Sequence, residues 1–299
     1  MKWLLARWRG VAVRGAGRSS AFGELVDDRR AWLFATLPHE AAAYQYDVFT
    51  KRSQKRLARR LGFTVAEDYL SLAPLRVAIK FVARSRLDAF VIKANLSYGG
   101  KASRALTRTE GGYRDVRTLD IVTLARLEHD LGRELEELDR PDEWLVEELL
   151  RPFDPSCRYL SDYKFYVFGA TTELIVCKRP VPGSYEQVST TCTRDWELVD
   201  VGLESIDAAV AAAPLRGREL IAVAEEAASC LCYPFIRMDL YDTSRGVVVG
   251  ELTPGPGRRH ELDPEWDARF ARRWHEAAAT LRRDLRTGRI VPLREERSG

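Results

Sequence analysis

The strongest constraint on this chain is the run from 235 to 257, Phe-Ile-Arg-Met-Asp-Leu-Tyr-Asp-Thr-Ser-Arg-Gly-Val-Val-Val-Gly-Glu-Leu-Thr-Pro-Gly-Pro-Gly. Ile236, Met238 and Leu240 alternate with Arg237, Asp239 and Tyr241, which is strand periodicity. A polar turn ends in Arg245-Gly246, and Val247-Val248-Val249 opens a second strand, so the two runs fold back as a hairpin. The simplest register puts Val249, Glu251 and Thr253 on the face of Arg237 and Asp239, with Asp239 and Glu251 as diagonal neighbours about 7–8 Å apart. Two carboxylates and an arginine on a buried face are costly unless something pairs with them. A divalent metal is one partner, because Mg²⁺ takes one or two carboxylates plus phosphate oxygens. A surface hairpin with a local Arg–Asp–Glu salt bridge is the other reading. The irregular Pro-Gly-Pro-Gly that follows suits a substrate wall.

Composition restricts the partners. The chain has 299 residues, 45% hydrophobic and 30% charged, the size of two lobes or one large domain. A net charge of +3 is too small to argue for nucleic acid. Cys157, Cys177, Cys192, Cys230 and Cys232 are scattered, and with four dispersed histidines they offer no zinc spacing. Reduced thiols in a cytoplasmic protein are expected. No apolar run reaches the length of a membrane span. The start, Met-Lys-Trp-Leu-Leu-Ala-Arg-Trp-Arg, is basic and amphipathic but lacks the core of a secretion signal. It is suited to packing on its own domain, or to touching a membrane surface or a partner.

Along the chain, residues 1–45 read as a helical extension anchored by Trp32, Leu33, Phe34 and Leu37. Thr50 to Leu61 reads as a helix, with Phe49, Leu57 and Leu61 on one side. Lys51, Arg52, Lys55, Arg56, Arg59 and Arg60 form a basic face for solvent, phosphates or an acidic partner. Phe90-Val91-Ile92 is a buried strand delivering Lys93, and Asn95-Leu-Ser-Tyr-Gly-Gly-Lys101 is a flexible loop before a returning strand. A lysine and a Ser/Gly loop suit a phosphate, since glycines let backbone N–H groups turn toward an anion. Neither phosphate-binding glycine motif is present in full. Leu119 to Leu135 reads as an amphipathic helix, Trp144 to Leu150 as a strand with two acids, Asp162 to Phe168 and Leu174 to Cys177 as paired strands, and Val181 to Ser189 as loop. Helices follow at Arg216 to Tyr233 and Pro264 to Arg286.

Taken in order, these pieces resemble the ATP-grasp superfamily, and within it the TupA-like branch associated with teichuronic-acid-type polysaccharide synthesis. The resemblance rests on Phe90-Val-Ile-Lys93-Ala-Asn, Asp162-Tyr-Lys-Phe-Tyr-Val-Phe-Gly169, Asp195-Trp196, Arg237-Met-Asp239-Leu-Tyr and Gly250-Glu-Leu-Thr253-Pro-Gly, and covers roughly residues 47–275. It implies an α+β fold of two lobes gripping ATP, with divisions at 1–45, 46–146 and 147–299. It implies that Lys93 holds the α/β-phosphates and that Lys51 is a second phosphate lysine, with Thr50 replacing the family's aspartate. Ser97, Gly99 and Gly100 would belong to the mobile loop over the β/γ-phosphates. Glu147 to Leu150 would be the hinge, with backbone groups of Glu148 and Leu150 reading adenine, and Asp162 would hold the ribose. Asp239, Glu251 and Thr253 would bind Mg²⁺, with Thr253 where relatives often carry Asn. Arg237 would stabilise the transferring phosphoryl group. The short front end moves the acceptor site elsewhere, and Lys164, Lys178, Arg179, Arg258, Arg259 and His260 are candidates for an anionic substrate.

The implied activity is an ATP-dependent carboxylate–amine ligase acting on small molecules in polysaccharide or natural-product biosynthesis. Such a reaction gathers negative charge, which explains lysines, Arg237 and metal in one place. The alternatives are a kinase on the same scaffold and a non-catalytic nucleotide-binding protein. A homodimer is compatible with this reading; a nucleic-acid partner is not.

Overall fold

A computed structural model describes residues 20–47, 50–202, 213–256, 258–259 and 261–294. The basic N-terminal segment, Phe49, Gly257 and His260 lie outside the described residues. The architecture is α+β, built on two antiparallel sheets.

The smaller unit carries β1 (Asp68–Ala73), α5 (Leu75–Ser85), β2 (Ala89–Ala94), β3 (Ser103–Thr109), β4 (Gly112–Asp115), β5 (Ile121–Val122), α6 (Leu124–Glu137) and β6 (Trp144–Glu147). Its strands run in the order β1-β6-β2-β3-β4-β5. Ala78, Ile79 and Val82 of α5 and Leu127, Leu131 and Leu135 of α6 recur at helical spacing. They close one core over Phe90, Ile92, Leu106 and Trp144. The α6 pattern begins at Leu124, not Leu119, because Thr123 caps the helix by accepting from the Arg126 N–H. Residues 121–122 then pair as a strand.

The larger sheet has the order β11-β10-β7-β8-β9, from β7 (Asp162–Phe168), β8 (Thr171–Pro180), β9 (Gln187–Cys192), β10 (Phe235–Thr243) and β11 (Gly246–Thr253). Residues 187–189, expected in a loop, begin β9, and the backbone there pairs with β8 from Pro180 back to Ile175. On one face lies α7 (Gly217–Ser229), with Leu220, Ala224 and Ala227 buried. Part of the other face is covered by α1 (Ala21–Asp27) and α8 (Pro264–Arg286). There Phe22 meets Phe235 at 5.0 Å, and Phe168 meets Phe270 at 5.0 Å between ring centroids. Burying such a ring is worth about 1.5–3 kcal/mol. The Asp267 carboxylate fastens the pair, accepting from the Ala21 and Phe22 N–H groups at 2.8 and 3.0 Å. With α2 (Arg29–Thr36) and α3 (His39–Asp47), the front helices put Trp32, Leu33 and Leu37 into this same core, while Phe34 packs on it half-buried.

The basic helix α4 (Lys51–Arg60) joins the two units. Leu57 and Ala58 pack in the larger core, and Gln54 accepts the Leu252 N–H at 3.0 Å. Its N-terminus is tied to the smaller unit by Asn95, whose Oδ1 accepts the Arg52 N–H at 3.2 Å.

Candidate active site

The hairpin forms with a closer register than the simplest one. Asp239 pairs directly with Glu251, and Arg237 with Thr253. Beyond them Leu240 pairs with Val249, so Gly250 is an extra residue, a bulge. A Cβ on Gly250 would lie 2.4 Å from the Tyr241 ring, so only glycine leaves room there. The bulge also turns the Val249 N–H to the Thr64 carbonyl at 2.8 Å and sends the Val249 side chain into the core with Leu240. Val249 therefore does not share the face of Glu251, contrary to expectation.

That face carries a dense charge cluster. Arg237 clasps Asp239 with two bonds, Nε to Oδ1 at 2.6 Å and Nη2 to Oδ2 at 2.9 Å. Lys164, opposite Asp239 on β7, donates to Asp239 Oδ2 and pairs with Asp162 at 2.6 Å. Asp239 is only 2% exposed, whereas Glu251 is 43% exposed and 3.5 Å from Arg237. Burial would raise the Asp239 carboxyl, but Arg237 and Lys164 win and hold it below the usual carboxylate range. Burial and the neighbouring Asp239 push Asp162 up. Tyr241 sits among Asp162, Asp239, Glu251 and Glu147, and Asp162 and burial push its phenol well above the ordinary value.

Lys51 at the start of α4 and Lys93 of β2 approach this face. Burial lowers Lys51 to about 8, and its charge neighbours are Glu251, Lys93 and Glu147. This places the acid at 251 and the lysines at 51 and 93 within one electrostatic neighbourhood. The Lys51 ammonium donates to the Ser97 carbonyl at 2.6 Å, at the start of the glycine loop. Gly99 and Gly100 follow with φ of +63° and +76°, the left-handed region that favours glycine.

Lys55 was missed as a site residue by the sequence reading, and Glu147, expected in the hinge, is also the counter-charge of two lysines. Glu147, buried on β6, takes Lys93 on one oxygen and Lys55 on the other, the latter at 2.7 Å. Lys55 is 5% exposed and also pairs with Asp68. Lysines 51 and 55 follow i, i+4 spacing and turn inward while Arg52, Arg56 and Arg60 remain exposed; Arg59, one turn on and also exposed, reaches back to Asp68 at 2.8 Å. Thr50 caps the helix, accepting the Ser53 N–H at 3.2 Å.

Other candidates are committed elsewhere. The Glu148 N–H donates to the Glu67 carbonyl at 2.9 Å, and its carboxylate takes Arg245, so that N–H is not free for a base. Leu150 is half-buried beyond β6. Thr253 accepts from Arg237 Nη2 at 3.1 Å and so props the guanidinium. Lys178 is opposite Asp162 on β8. Arg179 instead lines a cavity of about 190 Å³ with Tyr163 and Asp242, on the face carrying α7. Arg258 pairs with Glu261 at 2.7 Å, and Arg259 holds Asp27 and the Pro256 carbonyl.

Magnesium fits this donor set. The donors are hard oxygens, and Asp162 Oδ1 is buried with no hydrogen-bond partner. Asp239 has about four lone-pair sites. Arg237 and Lys164 use three of them, leaving one on Oδ1. No group of three metal-ligating side chains occurs among the described residues, so oxygens of a phosphate would have to complete the shell.

A family profile, TupA-like ATPgrasp, matches residues 79–272, more than half of the chain and all of the acid cluster. The chain belongs to the TupA-like ATP-grasp family. Its two α+β units are those of the ATP-grasp fold. Among solved structures it is similar to D-alanine–D-alanine ligase from Bacillus anthracis, at 12% identity and a TM-score of 0.48, covering 82% of this chain and 71% of that one. It is also similar to the ATP-grasp ligase PsnB complexed with a phosphomimetic precursor variant, Mg and ADP, at 15% and 0.46, covering 84% and 67%. VanG D-Ala:D-Ser ligase from Enterococcus faecalis gives 15% and 0.46, covering 81% and 63%. No curated protein matches. No helix among the described residues is long and apolar enough to cross a membrane.

Proposed function

We propose that this member of the family is an ATP-dependent carboxylate–amine ligase that forms an amide through an acyl phosphate. The observation that carries this reading is that Glu251, paired with Asp239 in the hairpin, and the lysines at 51 and 93 are charge neighbours. Lys93, held by Glu147, and Lys51, held at the Ser97 carbonyl, would receive phosphate oxygens. Asp239 and Glu251 would hold Mg²⁺, which neutralises phosphate charge when bound. Arg237 is fixed by Asp239 and Thr253, so its guanidinium needs little reorganisation as charge develops on a transferred phosphoryl group. A substrate carboxylate accepts that group, and an amine then displaces phosphate. The glycine loop would keep water from the acyl phosphate. The role in polysaccharide or natural-product biosynthesis and the cytoplasmic setting belong to the same reading, from the TupA-like branch and from ATP as co-substrate.

Incubation with Mg-ATP, hydroxylamine and a panel of carboxylic acids is the test. Hydroxamate with stoichiometric ADP supports the ligase; a stable phosphoester with no hydroxamate identifies a kinase instead.

Lys51 adds a pH signature. It is charged below about 8 and loses its proton as pH rises through that value. An anion favours the charged form, so above pH 8 binding takes up a proton. Mg-ATP affinity should fall by up to about tenfold per unit between pH 8 and 9. Titrations of Lys51→Arg, which keeps its charge, should be flat over that range. A flat wild-type profile would remove Lys51 from the phosphate site.

A further inference from the structure

One contact spans the two sheets on the side away from the hinge, and the proposed chemistry does not use it. The loop between β8 and β9 leaves the larger sheet and lies on β3 and β4 of the smaller one. Tyr185 donates its hydroxyl to Asp115 Oδ2 at 2.7 Å, and Asp115 is buried. Its ring lies 4.8 Å below the Arg104 guanidinium and 5.4 Å from that of Arg117. Arg117 donates to the carbonyls of Tyr185 and Glu186, and the Gly183 N–H returns a bond to the Arg117 carbonyl at 3.0 Å. Tyr185 is nonetheless 47% exposed, so this is a rim contact and not part of either core.

The same residues reach the glycine loop. Arg104 pairs with Glu134 of α6. Glu134 Oε2 accepts the N–H of Ala102, which follows the loop with φ of +48°. A Cβ on Gly100 would lie 3.8 Å from Arg117 Nη1. A chain of contacts thus runs from the larger sheet through Tyr185, Arg104 and Glu134 to the end of the loop.

We propose that Tyr185 is a positioning residue, a latch that fastens the glycine loop and the smaller sheet to the larger one and so sets the affinity for the triphosphate. The effect on affinity rests on the nucleotide reading above; the latch itself does not. A hydrogen bond and two cation–π contacts at a half-exposed site support an effect of about tenfold. Ordering the loop in advance lowers what binding must later spend on it.

The test is amide exchange of the full chain without nucleotide, together with titration of Mg-ATP. In Tyr185→Ala, exchange over residues 99–104 should rise about tenfold while β7 and β10 keep their protection. Tyr185→Phe, which retains the ring, should fall between that variant and wild type. The Kd for Mg-ATP should rise about tenfold in Tyr185→Ala. Unchanged exchange over 99–104 in Tyr185→Ala overturns the latch, as does an equal rise throughout the protein. Raised loop exchange in a protein whose wild type does not bind Mg-ATP upholds the latch and overturns the nucleotide reading.

Discussion

Glu251→Gln should reduce turnover by about 10²–10³-fold and leave unfolding stability within about 0.5 kcal/mol of wild type. The two outcomes separate because Glu251 is half open to solvent and only 3.5 Å from Arg237, so its carboxylate contributes little to the fold. Such exposed pairs are typically worth about 0–1 kcal/mol. Its value lies in the charge it offers a metal–phosphate complex. Asp239→Asn should differ in kind. Asp239 is buried between Arg237 and Lys164, and losing its charge leaves these two largely buried cations with one fewer counter-charge. Breaking a buried pair on one side costs about 3–5 kcal/mol, so this variant should lose stability as well as turnover. Steady-state ADP release and denaturant unfolding on both variants provide the check. Wild-type turnover in Glu251→Gln would eliminate the metal assignment. Wild-type stability in Asp239→Asn would show that the charge cluster does not hold the sheet together.

The contrast between these two acids was only half legible in the sequence. Alternation from Ile236 to Tyr241 is enough to put Arg237 and Asp239 on one face. The facing partner depends on the bulge at Gly250, where the Tyr241 ring leaves room only for glycine, a contact no local pattern reveals. The Ser/Thr-rich run 188–192 was read as loop to Ser189 and left unread beyond it for a similar reason. Its hydroxyls are buried by β8 and by Val199, whose carbonyl accepts from Thr191, and composition alone suggests exposure. The strand at 68–73 went unread because it is short and irregular, with two register shifts against β6 and Leu72 at φ +51°. Long helices with clean periodicity, such as Pro264–Arg286, could be read end to end. The basic helix was visible, but its inward stripe acquires meaning only once Glu147 and Asp68 are placed opposite it. Those acids are 79 residues apart in sequence, on strands that pair in the sheet.

Glu147→Gln should be among the most damaging single changes in the smaller unit, at about 3–5 kcal/mol, though it touches neither proposed metal ligand. Glu147 is the carboxylate between Lys55 and Lys93, and the amide would leave two adjacent ammonium groups with one fewer counter-charge in a buried place. Burial opposes its ionisation, yet Lys93 and Lys55 hold its carboxyl below the ordinary value. A depressed folded value contributes stability above the unfolded value near 4.5, and that contribution disappears as pH falls toward the lower folded value. The stability gap between wild type and Glu147→Gln should therefore be full at pH 7 and close progressively below about pH 4.5. Adding Lys55→Met removes one of the two cations but leaves Asp68 with Arg59 alone, so the double variant should recover at most about 1 kcal/mol relative to Glu147→Gln alone. Turnover should not recover with it, because Lys93 remains without the carboxylate that aims it. Denaturant unfolding at pH 7 and pH 4, with ADP release at pH 7, separates these effects. A gap independent of pH would mean that Glu147 acts through shape, and restored turnover in the double variant would mean that the aim of Lys93 does not depend on it.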